Sequence, residues 1–253
     1  MFMFLKSKIL KTILFVTLFF PMVTYAQQAY PDGTLLRARG YSGVYVFDKG
    51  TVRVIPSIEV FKSYNYDWNK VQEVDYVIHE QYPKTRLIKT SNNSKVYYLT
   101  DAGRRLWIPT AEMFINIGYH SVGEEVTLIN NLELGYYKDE QFIKSNQNDK
   151  TTAYRVSSFG TKRAINNQEI FESYSSDWSS IHDVPDQIIT SYPETKLIRQ
   201  KGDYKVYSLE NGMRRWITSL QAFEQQGFSW ERIEDITEVD LKSYPEGTDI
   251  NSK

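Results

Sequence analysis

A motif of about fifty residues recurs four times along this chain, and that repetition restricts the fold to a set of like units packed side by side. Tyr-Pro opens the motif at Tyr30, Tyr82, Tyr192 and Tyr244, at intervals of 52, 110 and 52 residues. The middle interval holds two units and an insertion around 137–152, with a hidden start at Tyr136 or Tyr137. The units therefore run over 30–81, 82–135, 136–191 and 192–243, and 244–253 is a fifth start that stops short. Copied units display one surface several times and seldom build a single asymmetric catalytic site.

Within a unit, the Tyr-Pro turn leads to an apolar pair, Leu35-Leu36, Leu87-Ile88, Phe142-Ile143 or Leu197-Ile198, followed by Arg37, Lys89, Lys144 or Arg199. After a polar turn comes an alternating stretch whose same-face residues are Tyr45 and Phe47, Tyr97 and Leu99, Tyr154 and Val156, Tyr207 and Leu209. Such period-two alternation predicts a strand. A Gly-containing turn and a further strand ending at Ile55, Ile108, Ile165 or Ile217 complete a three-stranded meander. Ser57, Thr110, Asn167 and Ser219 then stand where a helix N-cap is needed, with Glu59, Glu112 and Glu169 in the first turn. Phe61, Phe114, Phe171 and Phe223 anchor this two-turn helix, which is too short to persist alone. An apolar stretch at Val71–Val74 or Ile233–Ile236 suits a fourth strand. The expected fold is thus a β-rich α+β tandem repeat of four units, each a three- to four-stranded meander with a short helix. A compact four-bladed propeller-like ring, with the Tyr244 segment joining the first blade, is slightly favoured over a linear array capped by that segment.

The first 26 residues have the zones of a secretory signal peptide: Lys6, Lys8 and Lys11, an apolar stretch from Thr12 to Phe20, a break at Pro21, and a cleavage point after Ala26. The expected location is periplasmic, cell-surface or extracellular. Removing this segment takes away three bases and no acid, leaving four more acids than bases, so nucleic acid is not an expected partner. With no cysteine, the chain has neither disulfides nor thiolate metal sites. His79, His120 and His182 occupy different motif positions, lack metal-ligand spacing, and are expected at the surface. No nucleophile elbow, phosphate loop or dinucleotide fingerprint is present. Neither a catalytic residue, a cofactor nor a metal is therefore assigned.

The repeated aromatic residues are expected in the core: Tyr45, Tyr97, Tyr154 and Tyr207 with the four Phe and four Ile named above. Trp68, Trp178 and Trp230 stand in polar loops, where a ring is either core or a partly exposed platform on which the apolar face of a sugar ring can stack, which makes them ligand-binding candidates beside the repeated bases. Arg53, Arg163 and Arg215, replaced by Leu106 in the second unit, read as structural bridges, with Glu59 and Glu169 as partners for the first two. Arg37, Lys89, Lys144 and Arg199 are basic in every copy of an acidic protein. They are candidates for holding an anion or polyanion, or else solvated strand ends.

The motif Tyr-Pro-x-Gly/Thr-x-Leu-Ile-Lys/Arg, Val-Tyr-x-Leu-x-x-Gly-x-Arg-Arg-Trp-Ile, Phe, Gly-Phe-x-Trp resembles a tandem repeat of secreted and cell-surface bacterial proteins, some of which carry it beside cell-envelope hydrolase or peptidase domains. The resemblance spans 30–250 and is best at 82–118 and 192–250. The third copy departs most, lacking Tyr-Pro and having Ala164 where Trp216 stands. It implies an adhesion or recognition accessory. The expectation is an exported, non-enzymatic binding protein for a cell-envelope or extracellular polymer, a glycan above all. The alternative is a structural or assembly protein docking on a surface protein, and a cell-envelope hydrolase ranks third.

Overall fold

The computed structural model describes residues 30–174 and 176–253, so the signal-peptide reading of 1–26 lies outside the described residues. Four four-stranded sheets follow one another along the chain, all with the same strand order. Unit 1 comprises β1 (Leu35–Ala38), β2 (Val44–Asp48), β3 (Thr51–Val54), α1 (Ile58–Ser63), β4 (Gln72–Val74) and α2 (Ile78–Gln81). Unit 2 comprises β5 (Leu87–Thr90), β6 (Val96–Leu99), β7 (Arg105–Ile108), α3 (Ala111–Asn116), α4 (Val122–Glu125), β8 (Thr127–Ile129) and α5 (Asn131–Tyr136). Unit 3 comprises β9 (Phe142–Ser145), β10 (Ala153–Val156), β11 (Lys162–Ile165), α6 (Gln168–Ser173), β12 (Ile181–Val184) and α7 (Asp186–Ser191). Unit 4 comprises β13 (Leu197–Gln200), β14 (Val206–Glu210), β15 (Met213–Trp216), α8 (Leu220–Gln225), β16 (Ile233–Ile236) and α9 (Glu238–Ser243).

The first three strands of each unit form the expected antiparallel meander, and the fourth returns to lie parallel to the first, giving the order β3-β2-β1-β4 in unit 1. Lys49 and Gly50 (φ 49° and 73°) close the β2–β3 hairpin, as Asn211 and Gly212 (52° and 74°) close β14–β15. Left-handed conformations at both central positions match the twist of paired strands. The expected caps are in place: Ser57, Thr110, Asn167 and Ser219 accept from the backbone N–H three residues on. A second short helix at the end of each unit was not expected from sequence. In unit 1 it is four residues long, and only its packing against the sheet gives it stability.

Both faces of each sheet are covered, which explains the adjacent apolar pairs. In unit 1, Leu35, Val44 and Val46 pack on Phe61 of α1, whereas Leu36, Phe47 and Val52 pack with Ile78 of α2 and Tyr82 of the next unit. Unit 4 repeats this arrangement, with Leu197, Val206 and Phe223 on one side and Ile198, Tyr207, Leu241 and Tyr244 on the other. The tyrosines of the alternating strand thus belong to the second-helix side, opposite the Phe. Phe61, Phe114, Phe171 and Phe223 are buried, as are Ile108, Ile165, Ile217 and Tyr97; Tyr45, Tyr154, Tyr207 and Ile55 are partly buried.

Successive units are joined at the outer edge of the third strand. Val52 donates to Pro83 O and accepts from Thr85 N–H, so the Tyr-Pro stretch of unit 2 continues the sheet of unit 1. The same bridge recurs as Arg105 with Asp139 and Lys162 with Glu194. At the end of the chain Arg214 pairs in this manner with Glu246, and Ile217 with Ile250. The Tyr244 segment therefore lies on unit 4 itself and does not join the first sheet. Ile250 is buried with Leu197, Val206 and Phe223, closing the core of the last unit.

Candidate functional site

The four repeated bases sit at matching places on the first strand of each sheet, and three already have partners. Arg37 pairs with Glu73 at 2.7 Å, Lys144 with Asp183 at 3.6 Å and Arg199 with Asp235 at 2.8 Å. Each acid stands directly across the parallel pairing of first and fourth strands. The fourth base, Lys89, faces exposed Leu128. A charge on a cross-strand carboxylate is a weak electrostatic attractor for an outside anion. The acid partners were missed because the fourth strand's register cannot be read from spacing alone.

Trp68, Trp178 and Trp230 share one geometry. Each begins a single 3₁₀ turn, and Asp67 and Asp177 accept from the N–H two residues on, fixing the loop. Each indole lies on the buried Phe of its own unit: Phe61–Trp68 at 4.0 Å, Phe171–Trp178 at 4.5 Å and Phe223–Trp230 at 4.1 Å between ring centroids. The Trp residues remain 48%, 53% and 55% exposed, so each ring is backed by the core without being buried in it. Exposed Ile58 and Leu220 begin the helices that carry Phe61 and Phe223. Three of the four units thus present a half-exposed aromatic ring stacked on a buried Phe.

The Arg bridges reach further than the sequence suggested. Arg53 binds Glu133 of α5 at 2.9 Å, not Glu59, and the Tyr64 and Tyr137 hydroxyls donate to the same carboxylate. Burial opposes the Arg53 charge, but Glu133 outweighs it and holds the guanidinium above its ordinary pKa. Arg163 lies against Asp240 of α9 and 3.4 Å from Glu234 of β16, not on Glu169. Arg155 meets the same Glu234 at 3.0 Å. These acids come from the following unit, a distance of 70 to 80 residues that no local pattern signals. In unit 4, Arg215 pairs with Glu210 of its own sheet and donates to Thr248 O.

Clefts open where one unit meets the next. Between units 1 and 2, a cavity of about 250 Å³ is lined by Tyr45, Arg53, Arg86 and Asp101. Between units 2 and 3, one of about 510 Å³ is lined by Trp107, Arg105, Arg155, Asp139 and Glu140. Most of their charges are paired: Arg86 with Asp101, Arg105 with Asp139 and Arg155 with Glu234. His182 is not a free surface residue as expected; its Nδ1 lies 2.7 Å from Oε2 of buried Glu140. Burial pushes the Glu140 carboxyl above the usual range, with His182 acting in the opposite direction. Among the described residues no group of His, Cys, Asp and Glu is arranged to hold a metal ion. No helix among them is long and apolar enough to cross a membrane.

The chain matches no family model and no curated protein. Among solved structures it is similar to the periplasmic assembly from the ESX-5 inner membrane complex, at 11% identity and a TM-score of 0.22, covering 90% of this chain and 68% of that one. It is also similar to an intact ESX-5 inner membrane complex, at 13% identity and a TM-score of 0.21, covering 87% of this chain and 57% of that one. At these scores the likeness carries no argument about function.

Proposed function

We propose that this protein is an exported, non-enzymatic assembly module of the cell envelope or cell surface that docks another protein through its repeated tryptophans. The observation that carries this reading is the shared geometry of Trp68, Trp178 and Trp230, each backed by a buried Phe with its outer side open. A backed aromatic ring loses little rotamer freedom on contact, and aromatic anchors of this kind dominate protein interfaces. Exposed Ile58 and Leu220 add apolar area that a protein partner can cover and a charged polymer cannot use. Recognition of an anionic glycan through the repeated bases draws less support, since Arg37, Lys144 and Arg199 are already paired.

The test is photo-crosslinking in the native host with a benzophenone side chain at position 68, 178 or 230, and at exposed Tyr204 as control. One discrete protein adduct from the Trp positions and none from 204 is the expected result. In parallel, the chain after residue 26 is co-sedimented with envelope polysaccharide at low and high salt. Polysaccharide binding that fades with salt and disappears when Arg37, Lys89, Lys144 and Arg199 are changed to Gln would overturn the proposal and restore the glycan reading.

A further inference from the structure

Four positions of the repeat decide what the cleft at a junction between units offers. Two lie in the earlier unit, two residues before the strand Tyr and one before the repeated Ile. The others lie in the next unit, four residues after its opening Tyr and four after its strand Tyr. At the junction of units 1 and 2 they are Gly43, Val54, Arg86 and Asp101; at that of units 2 and 3, with Tyr137 as the opening residue, they are Lys95, Trp107, Gln141 and Ser158. In the first cleft Arg86 pairs with Asp101 at 2.9 Å, and Gly43 and Val54 bring no polar side chain. That pair satisfies itself, and the space beside it is about 250 Å³.

The second cleft is about 510 Å³, within the roughly 300–1,000 Å³ typical of small-ligand pockets. Its cations Arg105 and Arg155 are held by Asp139 and Glu234. Lys95 is not held in this way. Its ammonium stands 4.4 Å from the centroid of the partly buried Trp107 ring and, among the described residues, meets no carboxylate. Gln141 and Ser158 stand where the first cleft has its ion pair, and neither side chain has a hydrogen-bond partner among the described residues. Both belong to unit 3, the copy that departs most from the motif. The Lys-over-Trp contact recurs as Lys205 and Trp216 at 4.7 Å in unit 4, away from this cleft.

The unpaired groups at the second cleft have a common chemistry. The Gln141 amide and the Ser158 hydroxyl each both donate and accept, which matches the hydroxyls of a sugar. The Trp107 indole is a flat apolar surface that suits the C–H face of a pyranose. A cation–π contact at an exposed site is weak, so the Lys95 ammonium can turn from the ring to a carboxylate, its stronger partner. We propose that the cleft between units 2 and 3 is a binding site for a sugar acid. The pyranose stacks on Trp107, its carboxylate meets Lys95, and its hydroxyls bond Gln141 and Ser158. The site is separate from the Phe-backed tryptophans and does not depend on their role.

The test follows the indole N–H resonances of the isotope-labelled chain after residue 26 during titration with glucuronate, glucose and acetate. Trp107→Phe assigns the Trp107 signal, and Trp216 serves as the internal reference. The expected result is a saturable shift at Trp107 with glucuronate and none at Trp216, with glucose bound roughly tenfold more weakly and acetate giving no saturation. Lys95→Gln should lower the affinity for glucuronate roughly tenfold, to that for glucose. Gln141→Arg with Ser158→Asp places the ion pair of the first cleft at two exposed positions of the second. This double variant should abolish the shift and leave the melting midpoint unchanged. The proposal is overturned by the absence of a saturable shift at Trp107 or by an equal shift at Trp216. Equal affinity for glucose and glucuronate, or binding that survives the transplanted ion pair, also overturns it.

Discussion

Removing the Glu133 side chain should be the most damaging single change at the first junction. Glu133 is 1% exposed and Arg53 7%, so Glu133→Ala leaves a guanidinium in a dry interface with no counter-ion. Breaking a buried pair from one side costs about 3–5 kcal/mol. The Tyr64 and Tyr137 hydroxyls lose their shared acceptor as well, at about 1 kcal/mol each. Water admitted to the space left by the carboxylate offsets part of this, and the expected loss is about 4–6 kcal/mol. For a chain of this size each kcal/mol lowers the midpoint by about 2–4 °C, so a fall of roughly 8–24 °C is expected by calorimetry. Hydrogen exchange should place the loss at α1, β3 and α5. Glu133→Gln, which keeps the shape but not the charge, should fall between the two. A loss below about 1 kcal/mol for Glu133→Ala would mean that Arg53 finds water or another partner, and that the pair does not hold the junction.

Two other perturbations separate roles that the sequence confounds. Phe223→Ala should cost about 3–5 kcal/mol and Trp230→Ala about 1 kcal/mol, the first through a core cavity and the second through loss of one stacked contact; equal losses in thermal melts monitored by circular dichroism would show that Trp230 is core. Glu140, which faces His182 and lies near Arg104, has its carboxyl raised by burial, so the folded chain binds this proton more tightly than the unfolded chain. Its stabilising contribution is greatest below the unfolded value of about 4.3 and is lost as pH rises through the folded one. Urea titrations should therefore show Glu140→Gln gaining on the wild type between pH 4 and 7, and a difference independent of pH would refute this assignment.

Much of each unit was legible because its causes are local. Caps at Ser57 and Ser219, hairpin turns at Gly50 and Gly212, and the alternation through Tyr45 and Phe47 act over fewer than five residues, so spacing alone predicts strand, turn and helix. In unit 1 the second helix leaves little trace in the sequence because α2 has four residues and no side-chain cap, whereas Asn130 and Thr237 cap α5 and α9 and are signals that the spacing offers. The stability of α2 comes from burying Ile78 against Leu36 and Phe47. The site was less legible. Position identified Trp68, Trp178 and Trp230, but whether a ring is core or contact depends on which of its faces the buried Phe covers. Basic character identified Arg37, Lys144 and Arg199, but their charge is balanced by acids on a strand that returns 36 to 39 residues later.

The sequence by itself determined that this protein consists of four like β-rich units, since repetition and short-range patterning are written in residue order. Tertiary structure alone decided which unit face meets which. Arg53 and Glu133, Leu106 and Ile188, and Arg163 and Asp240 are brought together only when separate units stack. The desolvation that makes each pairing selective exists only once the interface has excluded water.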